Sequence, residues 1–120
     1  MSFQLFNDPT MQGLEFALNG LSLRQQVLAS NISNAQTPGY QAQDVTFENQ
    51  LAAVMNGEES VSPLDTGTVV DSPDITTSND GNTVGIESQM SKMSETNVMY
   101  DALTQLATDR LGVLKTAITG

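Results

Sequence analysis

The sequence predicts a mainly α-helical protein. Long N- and C-terminal helices are expected to pair as an antiparallel, coiled-coil-like hairpin, with an irregular, partly extended acidic middle segment between them. Three observations indicate this: apolar residues recur every three or four positions near both ends, Pro38 and Gly39 interrupt the first run, and the middle is acidic and polar. The predicted divisions are 1–40, 41–83 and 84–120, and the first and last together form one helical domain.

The first predicted helix begins near Asp8, a good N-cap residue, with Pro9 at its first helical position. Its apolar residues form a heptad seam that is interrupted only at Gln25. The seam consists of Met11, Leu14, Leu18, Leu21, Leu28, Ile32 and Ala35. Such a seam needs a helical partner. The residues predicted to make this helix contact are Leu14, Leu18, Leu21, Leu28 and Ile32.

The helix is predicted to end in a tight turn. Pro38 disfavours helical backbone at Thr37, so the helix stops by about Gln36. Pro38 also suits the second position of a β-turn, and Gly39 supplies the positive φ that a type II turn needs at its third position. Tyr40 then offers an apolar ring with a polar tip, which suits docking back onto a helix.

The middle segment is predicted to be loosely folded or disordered in the free subunit. Eight acidic residues lie between Asp44 and Asp80, and no Lys or Arg lies between Gln25 and Ser91. A short helix is predicted over 44–56, with brief strands over 66–70 and 75–77. We expect packing between neighbouring subunits to order this segment.

The C-terminal helix repeats the heptad pattern, with polar interruptions at Asn97 and Thr104. Its predicted seam consists of Ile86, Met90, Met93, Tyr100, Ala107, Leu111, Leu114 and Ile118. A second stripe widens the apolar face and consists of Met99, Leu103, Leu106, Val113 and Ala117. One stripe is expected to meet the first helix and the other to meet different subunits; an ordinary two-helix core with spare apolar residues is the alternative. The residues predicted to pack are Tyr100, Leu111, Leu114 and Ile118, and Gly112 suggests a close helix approach.

The corner after the first helix has an uncommon sequence. The amides of its Asn residues can bond carbonyls at the helix end or on a neighbouring subunit. The assembly motif consists of Asn31, Ile32, Asn34, Thr37, Pro38, Gly39 and Tyr40. This pattern resembles the signature of the rod and hook axial proteins of the bacterial flagellum.

A second match to that family precedes the C-terminal helix. The residues from Asp80 to Val84 resemble its Gly-Asn-x-Val-Asp element, although Gly85 stands where the family has an acid. Gly offers no carboxylate to the first-turn amides, so no capping role is expected at this position. A chain of this length without an inserted globular domain most resembles the FlgB family of proximal-rod proteins.

This resemblance implies a structural subunit of the flagellar basal-body proximal rod. Such a subunit assembles with copies of itself and other rod proteins into a helical tube that joins the membrane ring to the distal rod. The implied partners are other rod subunits, the membrane-ring protein, the rod-to-ring adaptor and the type III export apparatus. The implied location is the rod, in the periplasmic space where the cell has an outer membrane. The alternatives are another rod subunit of this family, or a small acidic type III secretion chaperone or adaptor.

Composition argues against several other classes of protein. The chain contains no Cys and no His, which removes thiolate nucleophiles, imidazole bases and the usual zinc ligands. The net charge of −10 argues against partners that are nucleic acids or anionic lipids, since each needs a basic patch. The first eight residues lack the basic start of a secretory signal, and nothing approaches the length of a membrane span, so no membrane insertion is expected.

No catalytic, cofactor or metal site is predicted. The adjacent acids Glu58 and Glu59 lie in a polar segment with little apolar surface to raise the pKa of either carboxyl. The stretch 76–87 matches the spacing of a calcium loop, but Thr76 and Ser78 replace the acids that calcium requires early in that loop. We therefore expect a protein that is not an enzyme and has no cofactor.

Overall fold

The computed structural model describes residues 9–61, 65–72 and 85–119. Its elements are helix α1 (Pro9–Ser33), strand β1 (Gln43–Thr46), helix α2 (Glu48–Met55), strand β2 (Thr68–Asp71) and helix α3 (Ile86–Thr119). The mainly α-helical class is confirmed. The predicted N-cap Asp8, the strand over 75–77, the element at 80–84 and most of the calcium-like loop lie outside the described residues.

Helices α1 and α3 pair in antiparallel orientation, as predicted. Near the end of α1, Asn31 hydrogen-bonds Gln89 at the start of α3. Further back along α1, Gln25 hydrogen-bonds Asn97. These two residues are the polar interruptions of the two predicted seams, so the helices place those interruptions opposite each other.

The seam that α3 presents to α1 differs from the predicted one. The buried residues of α3 are Gln89, Thr96 and Leu114, and Tyr100 and Leu103 pack against the core. The predicted seam residues Ile86, Met90, Leu111 and Ile118 are exposed. The predicted seam included only apolar residues, because it was based on hydrophobic periodicity. Polar side chains with hydrogen-bond partners occupy part of the true seam: the hydroxyl of Thr96 donates to the carbonyl of Lys92 at 2.7 Å.

Helix α1 also packs on the segment that follows the corner. The rings of Phe16 and Phe47 meet edge to face, with centroids 6.1 Å apart. Gly20 makes this approach close, because a Cβ at that position would lie 2.7 Å from the Phe47 ring. Seven residues earlier, Gly13 likewise faces a side chain of this segment, because a Cβ at Gly13 would collide with Met55. The glycines of α1 thus line a groove for the segment 47–55.

Strands β1 and β2 form an antiparallel ribbon, with Gln43 opposite Asp71 and Thr46 opposite Thr68. The helix predicted over 44–56 is therefore wrong in its first turn, because residues 44–46 are strand and α2 begins at Glu48. The strand predicted over 66–70 is present, shifted to Thr68–Asp71. Val45 is buried between the exposed or half-buried Asp44 and Thr46, which is the alternation that a half-buried strand needs.

Among the described residues, no helix combines the length and the apolar content that a membrane span requires.

Candidate assembly site at the corner after α1

The corner contains the predicted turn. The amide of Tyr40 donates to the carbonyl of Thr37 at 3.1 Å, and Gly39 has a φ of 77°. With Pro38 at the second position, this is the geometry of a type II turn. A Cβ on Gly39 would meet nothing within 4 Å, so it is the backbone conformation, and not a lack of space, that favours glycine here.

The end of α1 is closed by its own side chains. Nδ2 of Asn34 donates to the carbonyl of Ser30 at 2.8 Å, and the hydroxyl of Thr37 donates to Oδ1 of Asn34 at 3.2 Å. The backbone amide of Thr37 donates to the carbonyl of Asn34 at 2.9 Å. The backbone amide of Asn34 also donates to the carbonyl of Ser30, at 3.0 Å, so the Asn34 side chain adds a second bond to that carbonyl. The bond that was predicted for the Asn34 amide at the helix end is thus made within the chain.

Asn31 is the centre of the corner and has no exposed surface. Its Nδ2 donates to the carbonyl of Gln43 at 2.8 Å and to Oε1 of Gln89 at 2.7 Å. Its Oδ1 accepts from the amide of Gln43 at 3.0 Å and from the hydroxyl of Tyr40 at 3.1 Å. One side chain therefore joins α1, the turn, β1 and α3.

Tyr40 docks back onto α1, as predicted. Besides its bond to Asn31, its hydroxyl lies 3.3 Å from Oγ of Ser30. The remaining motif residues have other roles: Ile32 is half-buried on α1, and Pro38 and Gly39 are exposed and shape the turn. The structure thus brings the polar motif residues together around the end of α1.

Arg24 has a role here that the sequence did not reveal. Its Nη2 donates to the carbonyl of Val45 at 2.6 Å, on the side of β1 that faces away from β2. Asn31, seven residues later on α1, bonds the amide and carbonyl of Gln43 on that same side. Side chains of α1 therefore take the place of a neighbouring strand along β1. The heptad spacing of Arg24 and Asn31 was the one signal for this arrangement.

The charges around Arg24 are balanced by two carboxylates. Oε1 of Glu48 lies 2.5 Å from Nη2, and Oδ1 of Asp44 lies 3.9 Å from Nε. Burial opposes ionisation of Glu48, but hydrogen bonds from Arg24 and from nearby backbone amides outweigh it and lower the pKa of this carboxyl below 4.5. Among the described residues, no group of three or more acids is arranged to hold a metal ion.

Comparison with known proteins identifies the family. Residues 12–41, which include the whole corner and all of α1 except its first three residues, match the family described as flagella basal body rod protein. The FlgB rod protein of Bacillus subtilis (strain 168) is 31% identical over 121 residues, which cover 92% of this chain and 94% of the relative. The Salmonella typhimurium FlgB is 31% identical over 89% of this chain and 91% of its own length. The FlgB of Escherichia coli (strain K12) is 50% identical over 48 residues, 40% of this chain and 35% of the relative.

The chain belongs to the FlgB family of flagellar basal-body rod proteins. The resemblance seen in the corner motif is therefore confirmed. This FlgB-family chain is a structural subunit of the flagellar basal-body rod.

The predicted helix-packing residues of this FlgB-family chain fall into two groups. Most lie inside the subunit: Leu14, Leu21, Leu28 and Leu114 are buried, and Leu18, Ile32 and Tyr100 are half-buried. Leu111 and Ile118 are 47% and 62% exposed. The first group is covered within the subunit, whereas the second is exposed.

Proposed function

We propose that this FlgB-family chain is a subunit of the proximal part of the rod. It assembles with copies of itself and with other rod proteins into a helical tube around the export channel, which joins the membrane ring to the distal rod. Relatives named FlgB that match over nearly the whole chain support this proposal.

The outer surface of α3 is the observation that most directly supports assembly. This helix has 34 residues but buries only Gln89, Thr96 and Leu114 within the subunit. Eight of its large apolar side chains are exposed: Ile86, Met90, Val98, Met99, Leu106, Leu111, Val113 and Ile118. A monomer that functions alone rarely exposes so much apolar surface on one element, so we infer that neighbouring subunits cover it in the rod.

The surfaces of one subunit suit an open assembly. The exposed apolar side chains run along α3 from Ile86 to Ile118 and differ in chemistry from the polar side chains of the corner, so a contact between them joins unlike surfaces. Contacts of this heterologous kind generate helical filaments when the rotation does not close a ring. In this arrangement 1–40 and 84–120 build the tube, and the corner sets the angle at which 41–83 leaves it.

The proposed partners follow from the place in the rod. They are other rod subunits, the membrane-ring protein, the rod-to-ring adaptor and the type III export apparatus. Nucleic acid is not a partner, since a net charge of −10 repels it. The location is the basal-body rod, which is periplasmic in a cell with an outer membrane, and the subunit performs no catalysis.

Deletion of the gene is the first test. We expect non-motile cells whose isolated basal bodies have membrane rings without a rod, restored by the intact gene. The chain should then be recovered in the restored basal bodies. A secretion chaperone would remain in the cytoplasm, and normally swimming cells with complete rods would contradict the proposal.

Two aspartate variants separate assembly from folding. Leu111→Asp places a charge on the exposed apolar surface, so the free subunit keeps its stability to within about 0.5 kcal/mol but no longer enters the rod. Leu18→Asp places the charge in the half-buried hairpin and reduces stability as well as incorporation. Ser94→Asp, at an exposed polar position of α3, is the control for added charge. Normal incorporation of the Leu111 variant, with export intact, would exclude this surface as the interface.

A further inference from the structure

The contact between α1 and α3 includes two polar pairs among its apolar side chains. Asn31 and Gln89 are 0% and 2% exposed, and the hydrogen bond between them measures 2.7 Å. Gln25 and Asn97 form the second pair, nearer the surface. Polar pairs of this kind lower the apolar area that the two helices could bury, so their presence needs a reason.

Apolar packing alone does not fix the position of α3 along the axis of α1. Strand β1 and helix α2 pack on α1, and α3 packs chiefly on α1 as well. The apolar residues of both helices recur at three- and four-residue intervals. A slide of α3 by seven residues therefore returns apolar side chains to apolar positions.

The polar pairs distinguish the observed register from the two registers in which α3 has moved by seven residues in either direction along α1. A slide of seven residues in one direction places Gln25 opposite Met90, and in the other direction opposite Thr104. Both slides take Gln89 away from Asn31. The Asn31 amide, which has no exposed surface, then loses an acceptor, and that loss is costly.

Thr96 does not replace Gln89 after such a slide. It lies seven residues later on α3 and would come opposite Asn31. Its hydroxyl donates to the carbonyl of Lys92 at 2.7 Å, and its oxygen could still accept a hydrogen bond. That oxygen lies two bonds nearer the backbone than the amide oxygen of Gln, so it does not reach the Asn31 amide at the same helix separation. The shifted register therefore leaves the Asn31 amide without an equivalent partner.

We propose that Gln89 is a positioning residue that fixes the register of the α1–α3 hairpin through its hydrogen bond to Asn31, with Gln25 and Asn97 as a second, weaker determinant. The register decides which exposed apolar residues of α3 lie beside the outer surface of α1. Its importance for neighbouring subunits rests on the proposed function, but the register itself is a property of the free chain.

Spin labels on the full chain test the register directly. The chain has no Cys, so Ala29→Cys and Thr108→Cys supply two unique labelling sites, both exposed. A slide of seven residues displaces one label relative to the other by about 10 Å along the helix axis. Pulsed electron paramagnetic resonance detects such a change in the distance between the labels. The labelled parent chain should give one inter-label distance.

Gln89→Met is the decisive variant, because Met has a similar volume and gives Asn31 no oxygen acceptor. We expect less than about half of the molecules to keep the parent distance, and the others to show distances that differ from it by about 10 Å. Thr96→Val is the matched control, since the Thr96 hydroxyl bonds only within α3, and it should keep the single parent distance. A merely structural role for Gln89 would change stability without adding distances.

Circular dichroism establishes that each variant keeps its helix content. Should Gln89→Met lose helix, Gln89→Thr is measured in its place, because its hydroxyl is too short to reach Asn31. A single unchanged distance in the helical Gln89 variant would overturn the proposal. Loss of rod incorporation with an unchanged distance would leave the proposed function standing and would remove the register role.

Discussion

The guanidinium of Arg24 lies 4.7 Å from the centroid of the Phe47 ring. The same group bonds Glu48, the next residue, and the carbonyl of Val45 on the preceding strand. One α1 side chain thus holds the end of β1 and the start of α2. A cation over an aromatic ring contributes about 0.5–1 kcal/mol at a partly exposed site, and hydrogen bonds to charged groups about 1.5–3 kcal/mol.

The Arg24 and Glu48 pair makes stability depend on pH. The pKa of Glu48 is lower in the folded chain than its ordinary value of 4.5. The ionised carboxylate therefore stabilises the fold above about pH 4.5, and this contribution is lost as the pH falls through the folded pKa. Because the Glu48 side chain is 58% exposed, we expect less than about 1 kcal/mol.

Thermal unfolding of the parent chain and of Glu48→Gln from pH 7 to pH 3 measures this contribution. The parent should unfold at a higher temperature at pH 7, and the difference should shrink as the pH falls below 4.5 through the lowered pKa of Glu48. Glu58→Gln, at an exposed position, is the control and should give a small difference. A difference between parent and Glu48→Gln that stays constant with pH would contradict the assignment.

Sequence reasoning succeeded where the signal is local. Pro38 and Gly39 determine a turn by their own backbone preferences, so the end of α1 could be placed from a few residues. It failed at β1, because Gln43–Thr46 is short and its partner strand lies about 25 residues later in the chain. No local pattern near Asp44 indicates that this segment pairs with β2.

The hairpin was predicted correctly, but its seam on α3 only in part: of the predicted seam residues, Leu114 is buried and Tyr100 packs against the core. Apolar periodicity on α3 admits more than one stripe, and the choice by hydrophobicity included Met90 and Leu111, which are exposed. The buried Gln89 and Thr96 could be recognised only together with their hydrogen-bond partners. The sequence shows polar residues on α3 but not which of them meets Asn31.

Asn31→Ala should destabilise the chain strongly. The substitution removes four hydrogen bonds of a side chain without exposed surface and leaves the backbone of Gln43 and the buried amide oxygen of Gln89 with fewer partners. We expect a loss of about 3 kcal/mol in the free energy of unfolding, measured in urea. Asn34→Ala, which loses only exposed local bonds, should cost about 1 kcal/mol. Equal losses in the two variants would show that Asn31 is not the centre of the corner.

Gly39→Val should disturb the turn through the backbone alone. A φ of 77° is unfavourable for a β-branched residue, and about 1–3 kcal/mol is expected, although a Cβ there meets no atom. Gly39→Asn is the matched control, since Asn tolerates positive φ, and it should keep most of the stability. In cells we expect reduced swimming for the Val variant and near-normal swimming for the Asn variant. Normal swimming of both would mean that the turn geometry is not needed for assembly.

Replacing Gly20 and Gly112 by alanine should change the stability of the chain in opposite directions. A Cβ at Gly20 would lie 2.7 Å from the Phe47 ring, so Gly20→Ala pushes the ring out of its place and should cost about 1–3 kcal/mol. Gly112 has no atom within 4 Å of the added Cβ, so Gly112→Ala should stabilise the free chain by up to about 1 kcal/mol through helix propensity. Urea unfolding measures both, and a Gly20→Ala variant as stable as the parent would contradict the packing of Phe47 on α1. If a neighbouring helix approaches Gly112 in the rod, as the sequence predicts, Gly112→Ala should impair swimming despite its greater stability.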